Sequence, residues 1–203
     1  MLRIILACVL SFAVAGCVTT FVFNQPAEIN TVQDVSIDKA QVVFLRPSKG
    51  VMGAFAAIVF DITKSNNEII GVAPAESKFV VNLTPGEHRL FATNGLQGHI
   101  MDMKVESGKR YYVLVRPIYG NGFQLTPLKH NAAFDLSQKS PEFPLWKSQP
   151  VMVEKAAGAD EWYAKFKDNV DKVKLSAIKV WNEKSDEQRA QLTLLPDDAE
   201  KNN

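Results

Sequence analysis

The sequence has little with which to cross-link itself or hold a metal. Its two cysteines, Cys8 and Cys17, both fall within the first seventeen of 203 residues. A disulfide inside any domain that follows is therefore excluded. Three histidines, His88, His99 and His130, are scattered without metal-ligand spacing. An excess of one charge is missing as well. The formal net charge is +1, and Arg3 is the only charged residue before Cys17, which leaves residues 17–203 neutral. Lys and Arg are interspersed with Asp and Glu, so there is no basic field for nucleic acid or for polybasic attraction to anionic lipid. No G-x-S-x-G elbow, H-E-x-x-H helix, phosphate loop or dinucleotide fingerprint occurs. The N-terminal apolar run is short of the roughly 20 residues that a spanning helix needs.

That run has a definite order. Met1-Leu2-Arg3 is a small cationic region, Ile4 to Ala13 is apolar, and Val14-Ala15-Gly16-Cys17 closes it. This is the order of a secretory signal, not of a fold element. Two cleavage readings coexist. Ala13-Val14-Ala15 is an A-x-A site that would leave Cys17 a free thiol, whereas a small residue before cysteine at the end of the apolar region reads as a lipobox, the more specific combination. The N-terminus resembles that of bacterial lipoproteins. That resemblance implies removal of residues 1–16, a diacylglyceryl group on the Cys17 thiol and attachment to a membrane through it. Val18 stands where some lipoproteins carry an inner-membrane-retaining Asp, so the likeness implies the outer membrane, facing the periplasm.

Apolar residues make up 46% and charged residues 22%, which suits one packed domain with an appendage. Residues 17–39 have no helical period and carry Pro26, and they read as a lipidated N-terminus and tether. Residues 40–128 are a series of short β-type runs separated by turn chemistry. The runs predict strands at Gln41–Arg46, Phe55–Ile62, Glu68–Val72, Lys78–Leu83, His88–Thr93, His99–Val105, Arg110–Arg116 and Phe123–Thr126. Ser65-Asn66-Asn67, Pro85-Gly86, Asn94-Gly95, Ser107-Gly108 and Gly120-Asn121-Gly122 separate them with residues that tolerate positive φ. Phe79, Val81 and Leu83 share one face, and the unbroken run Tyr111 to Val115 predicts a central strand covered on both faces, one of them by the C-terminal tail.

Three segments carry a further likeness. Phe44-Leu45-Arg46-Pro47, Leu83-Thr84-Pro85-Gly86-Glu87-His88 and Glu106-Ser107-Gly108-Lys109-Arg110-Tyr111-Tyr112 resemble a family of uncharacterised bacterial lipoproteins. The resemblance implies a single prealbumin-like or PEGA-like β-sandwich of about seven to eight strands over residues 40–128, and it brings no catalytic residues.

Residues 129–203 predict an irregular wrap, bearing Pro141, Pro144 and Pro150, followed by C-terminal helices. A helix from Asp160 to Trp181, capped by Asp160, would bury a stripe of Trp162, Phe166, Val170, Val173, Ala177 and Val180 against its own sandwich. Ser185 and Gln188 predict a capping box for a second, short helix.

Two constellations are candidates for chemistry. Period two places His99, Met101 and Met103 on one strand face, a soft set suited to Cu(I), although Val105 continues that face as core would. Arg46-Pro47 and Arg116-Pro117 end two strands alike and could pair as an anion site, or serve only as strand ends. The expectation is a noncatalytic envelope lipoprotein, a monomeric binding or structural module with no cofactor, no bound metal and no nucleic-acid partner. Its contacts would be the membrane, through Cys17, and another envelope protein. The alternatives are a Cu(I)-handling lipoprotein and a hydrolase without a short motif.

Overall fold

The structure, a computed structural model, describes residues 21–48, 55–130 and 136–201. The chain is mainly β. Its elements are β1 (Asn24–Pro26), β2 (Ala40–Arg46), β3 (Ala57–Asp61), β4 (Glu68–Ala73), β5 (Ser77–Leu83), β6 (Gly86–Thr93), β7 (Gly98–Val105), β8 (Arg110–Pro117), β9 (Phe123–Pro127), α1 (Phe143–Ser148), β10 (Val151–Lys155), α2 (Ala157–Asn182), α3 (Asp186–Gln191), β11 (Thr193–Leu194) and a closing 3₁₀ turn (Pro196–Asp198).

Two mixed sheets result, ordered β1-β10-β5-β2-β8-β9 and β11-β7-β6-β3-β4. In the first, β2 lies between β5, antiparallel with Val42 opposite Val81, and β8, parallel with Val42 opposite Tyr111. Alternation then sorts each strand into two faces. Val42, Phe44, Phe79, Tyr111 and Val113 meet Val59, Leu90, Ala92 and Met101 of the other sheet in one hydrophobic cluster. Phe44 and Phe79 stack there with centroids 4.5 Å apart. Gly71 of β4 makes room for that stack, because a Cβ on it would stand 2.1 Å from the Phe79 ring.

The outer faces are covered separately. Val43, Leu45, Tyr112 and Leu114 pack under Phe143 and Trp146 of α1 and under Leu128 and Val32. Ile58, Phe60, Phe91 and Ile100 of the second sheet pack under Ala159, Val170, Ala177 and Trp181 of α2. The cover over Tyr112 and Leu114 is thus the proline-bearing segment and not the long helix. Pro144 falls in the first turn of α1, where its missing N–H costs no hydrogen bond, so a segment expected to be irregular forms a helical turn.

The eight predicted strands are present as β2 to β9, but the described residues hold eleven, above the expected seven to eight. The additions are β1, β10 and β11, from the presumed tether and the tail. Each gains its order from pairing: β1 with β10, β10 with the edge of β5, and β11 with the edge of β7. The helix follows most of its expected stripe, with Trp162, Val170, Val173 and Ala177 packed on the second sheet, and departs from it in detail. Its N-cap is Ala156, without a side-chain hydrogen bond, while Asp160 sits in the first turn and pairs with Lys155 at 2.8 Å. Phe166 has non-helical angles, φ −112° and ψ 15°, and is missing from the buried stripe. Trp181 is buried in the place expected for Val180, while Phe166 is 38% exposed. The capping box of α3 is formed, with Gln188 N 3.3 Å from Ser185 Oγ and Ser185 N 3.0 Å from Gln188 Oε1.

Candidate functional site

The strongest grouping of polar side chains stands where β3 and β6 run antiparallel. Asp61 at the end of β3 and His88 near the start of β6 lie 27 residues apart in sequence, and the pairing of Asp61 with Leu90 brings them together. His88 Nδ1 is 2.7 Å from Asp61 Oδ2, and Nε2 is 2.8 Å from the carbonyl oxygen of Thr84. A carboxylate and a carbonyl only accept, so the geometry suits a ring that donates from both nitrogens, as the imidazolium form does. The hydrogen bond to Asp61 raises the His88 pKa above its ordinary value, against the effect of burial. Burial acts to raise the Asp61 pKa, but the bonds from His88 and from Thr63 outweigh it and the net shift is downward.

Beside this pair, Arg89 donates in fork geometry to Asp102, Nε to Oδ1 at 2.7 Å and Nη2 to Oδ2 at 2.8 Å. Its backbone N–H donates to Thr63 Oγ1. His88, Arg89, Asp102, Lys104 and Thr193 line a cleft of about 510 Å³. The arrangement holds charge in place. It does not present a general base, because Nε2, the nitrogen that would take a proton from a nucleophile, is bonded to a main-chain carbonyl.

A second polar grouping surrounds Glu200. Tyr112 Oη and Lys147 Nζ donate to its Oε1 at 3.0 and 3.1 Å, and Arg110 Nη1 lies 3.3 Å from Oε2. Arg110 also donates to Gln41 Oε1 and to the Gln33 carbonyl. This network fastens the segment before β2, the first sheet and the tail to one another. Burial of Tyr112 raises its phenol pKa strongly, and Glu200 beside it adds to the shift, so the hydroxyl stays a donor.

The other residues singled out from sequence do not converge. Met101 and Met103 are fully buried in the cluster between the sheets, while the His99 ring turns to the Asn121 carbonyl, 2.6 Å away. The thioethers pack as core atoms and share no open coordination site with the imidazole. Arg46 is buried between the sheets, its Nη1 donating to the carbonyls of Phe55 and Ala73 at 2.7 and 2.5 Å and its guanidinium 4.5 Å above Phe123. Arg116, in register with the opposite face of its sheet, donates to Thr126 and Gln124 of β9. The two arginines therefore form no common anion site. His130 Nε2 donates to the Ala199 carbonyl in the tail. Cys17 lies outside the described residues. Among those described, no group of three or more His, Cys, Asp or Glu side chains could hold a metal ion.

No protein family matches the chain, and neither a curated protein nor a solved structure is significantly similar to it. Its own residues must carry the reading. Sequence reasoning missed Asp61, since only the β3–β6 register joins it to His88. Among the described residues no helix is long and apolar enough to cross a membrane.

Proposed function

We propose that this chain is a bacterial cell-envelope lipoprotein, anchored through a diacylglyceryl group on Cys17 and facing the periplasm. Its β-rich domain is a sandwich of the prealbumin or PEGA kind that serves as a monomeric, noncatalytic binding or structural module for another envelope component. Val14-Ala15-Gly16-Cys17 at the end of the apolar run carries the anchoring. The closed polar groupings support the noncatalytic part. His88, Arg89 and Glu200 each spend their hydrogen bonds on the domain itself, with none aimed at a common point where a substrate atom could react.

Mass spectrometry of the N-terminal peptide from membranes tests the anchor. The expected peptide begins at Cys17 and carries the mass of an acylated diacylglyceryl group. An unmodified peptide beginning at Gly16 would mean ordinary signal cleavage and would end this reading.

A further inference from the structure

Apolar side chains collect at one end of the domain. The β6–β7 and β8–β9 turns lie side by side there, since His99 Nε2 reaches the Asn121 carbonyl and Gly122 backs onto Gln97. Leu96 in the first turn is 75% exposed and Tyr119 in the second is 91% exposed. Helix α2 is tied to the same end. Asn169 Nδ2 donates to the Gly95 carbonyl at 2.7 Å, and the Trp162 ring stands 3.1 Å from where a Cβ on Gly95 would be. Phe166, between those two helix positions, faces Phe21 with ring centroids 6.3 Å apart. Lys165 Nζ lies 5.7 Å above the Phe21 ring and 5.6 Å above that of Phe166. Half-exposed aromatic rings with a lysine among them are the composition of a lipid interface, where an apolar body sits among acyl chains and a cation among headgroups.

The path of the chain says what meets this end. The residues after Phe21 are not a free leash. Ala156 N donates to the Phe23 carbonyl at 3.1 Å, and the Val22 backbone presses on Gly158 so closely that a Cβ there would stand 2.4 Å from Val22 O. Only Val18, Thr19 and Thr20 separate Cys17 from Phe21. Four residue steps reach at most about 14 Å, so an anchored Cys17 keeps this end within a headgroup layer or two of the bilayer. A tether that short also supplies a high effective concentration, at which even a small apolar patch stays engaged.

We propose that the end bearing Phe21, Leu96, Tyr119 and Phe166 docks on the phospholipid surface that holds the Cys17 lipid. This inference rests on the lipoprotein reading. The domain then stands on the membrane in one orientation, with the cleft lined by His88 and Arg89, at the opposite end of β6, turned toward the periplasm.

The test uses the full chain, lipidated in cells and reconstituted into vesicles of phosphatidylethanolamine and phosphatidylglycerol. With the Cys17 thiol bonded to lipid, Leu96→Cys or Tyr119→Cys supplies a single free thiol for an environment-sensitive fluorophore. Ser65→Cys, in the exposed β3–β4 turn at the other end, is the control. Spin-labelled lipid should quench the labels at 96 and 119 at least about threefold more strongly than the label at 65, with a blue shift, as shallow insertion requires. Protein that floats with the vesicles but shows equal quenching at all three positions keeps its anchor and overturns the docking. Protein that does not float overturns the anchor, and the docking with it. Protection of 96 and 119 that depends on protein density, without lipid-borne quenching, would assign the patch to a second copy and also overturn the proposal.

Discussion

His88 and Asp61 share a hydrogen bond of 2.7 Å with side chains only 10% and 14% exposed, and each holds the other in its charged form. Because the folded pKa of His88 lies above its ordinary 6.5, the stability it contributes is complete below that value and is lost as pH rises through the raised one. Asp61 lies below its ordinary 3.8, so its contribution is present above that value and lost as pH falls through the lowered one. The pair therefore stabilises the domain across mildly acidic and neutral pH. Calorimetric Tm measured from about pH 5 to about pH 9 should fall on the alkaline side by the equivalent of about 1 to 2 kcal/mol, a fall that His88→Gln removes. An alkaline limb unchanged in His88→Gln would show that another group titrates there.

Arg46 should rank among the least replaceable residues of the core. Its burial pushes the guanidinium pKa down to about 10, yet it remains charged and its Nη1 joins the carbonyls of Phe55 and Ala73. Arg46→Met keeps much of the volume but leaves those buried acceptors without the donor, at a cost of about 3 to 5 kcal/mol in urea denaturation. Arg46→Lys should recover only part of the loss, since an ammonium lacks the planar fork and the stacking over Phe123. A midpoint within error of the native one in Arg46→Met would mean the acceptors find other donors.

Burial ranks two aromatic residues of the helix against the order that its pattern suggests. Trp181, buried against the second sheet and lying 5.9 Å from the Arg89 guanidinium, should cost about 3 to 5 kcal/mol when replaced by alanine. Phe166→Ser should cost less than about 1 kcal/mol, since its ring is 38% exposed. Thermal denaturation of the two variants checks this, and comparable losses would place Phe166 in the core after all.

What could be read from the chain alone follows the reach of each signal. Strands β2 to β9 were legible because their alternation and the turn residues between them are local. β11 was not, because Thr193-Leu194 is two residues long and is a strand only by virtue of lying beside Asp102 and Met103. The same holds for β1, whose Asn24-Gln25-Pro26 has no period at all. The packing role of Met101 and Met103 was readable from the face that continues into Val105. Burial of Arg46 was not, since an arginine before proline at a strand end has the same sequence whether it meets solvent or an opposing sheet. The helix was placed nearly to its last residue and most of its stripe was right, but the irregular turn at Phe166 and the burial of Trp181 in place of Val180 were not announced by periodicity.

The short strands at the two ends of the chain settle when the sheets can be finished. Until β10 and β1 are in place, β5 offers a full seven-residue row of open amides and carbonyls, and until β11 arrives β7 offers eight. A chain released amino end first covers part of the β5 border once Val151–Lys155 has followed, but leaves the β7 border open until Thr193–Leu194 arrives, and each cover pairs with two residues only, Ser77 and Lys78 of β5 and Asp102 and Met103 of β7. Truncation near residue 190 would leave the β7 border without its neighbour for good, so the carboxyl end bears on solubility more than its few core atoms imply.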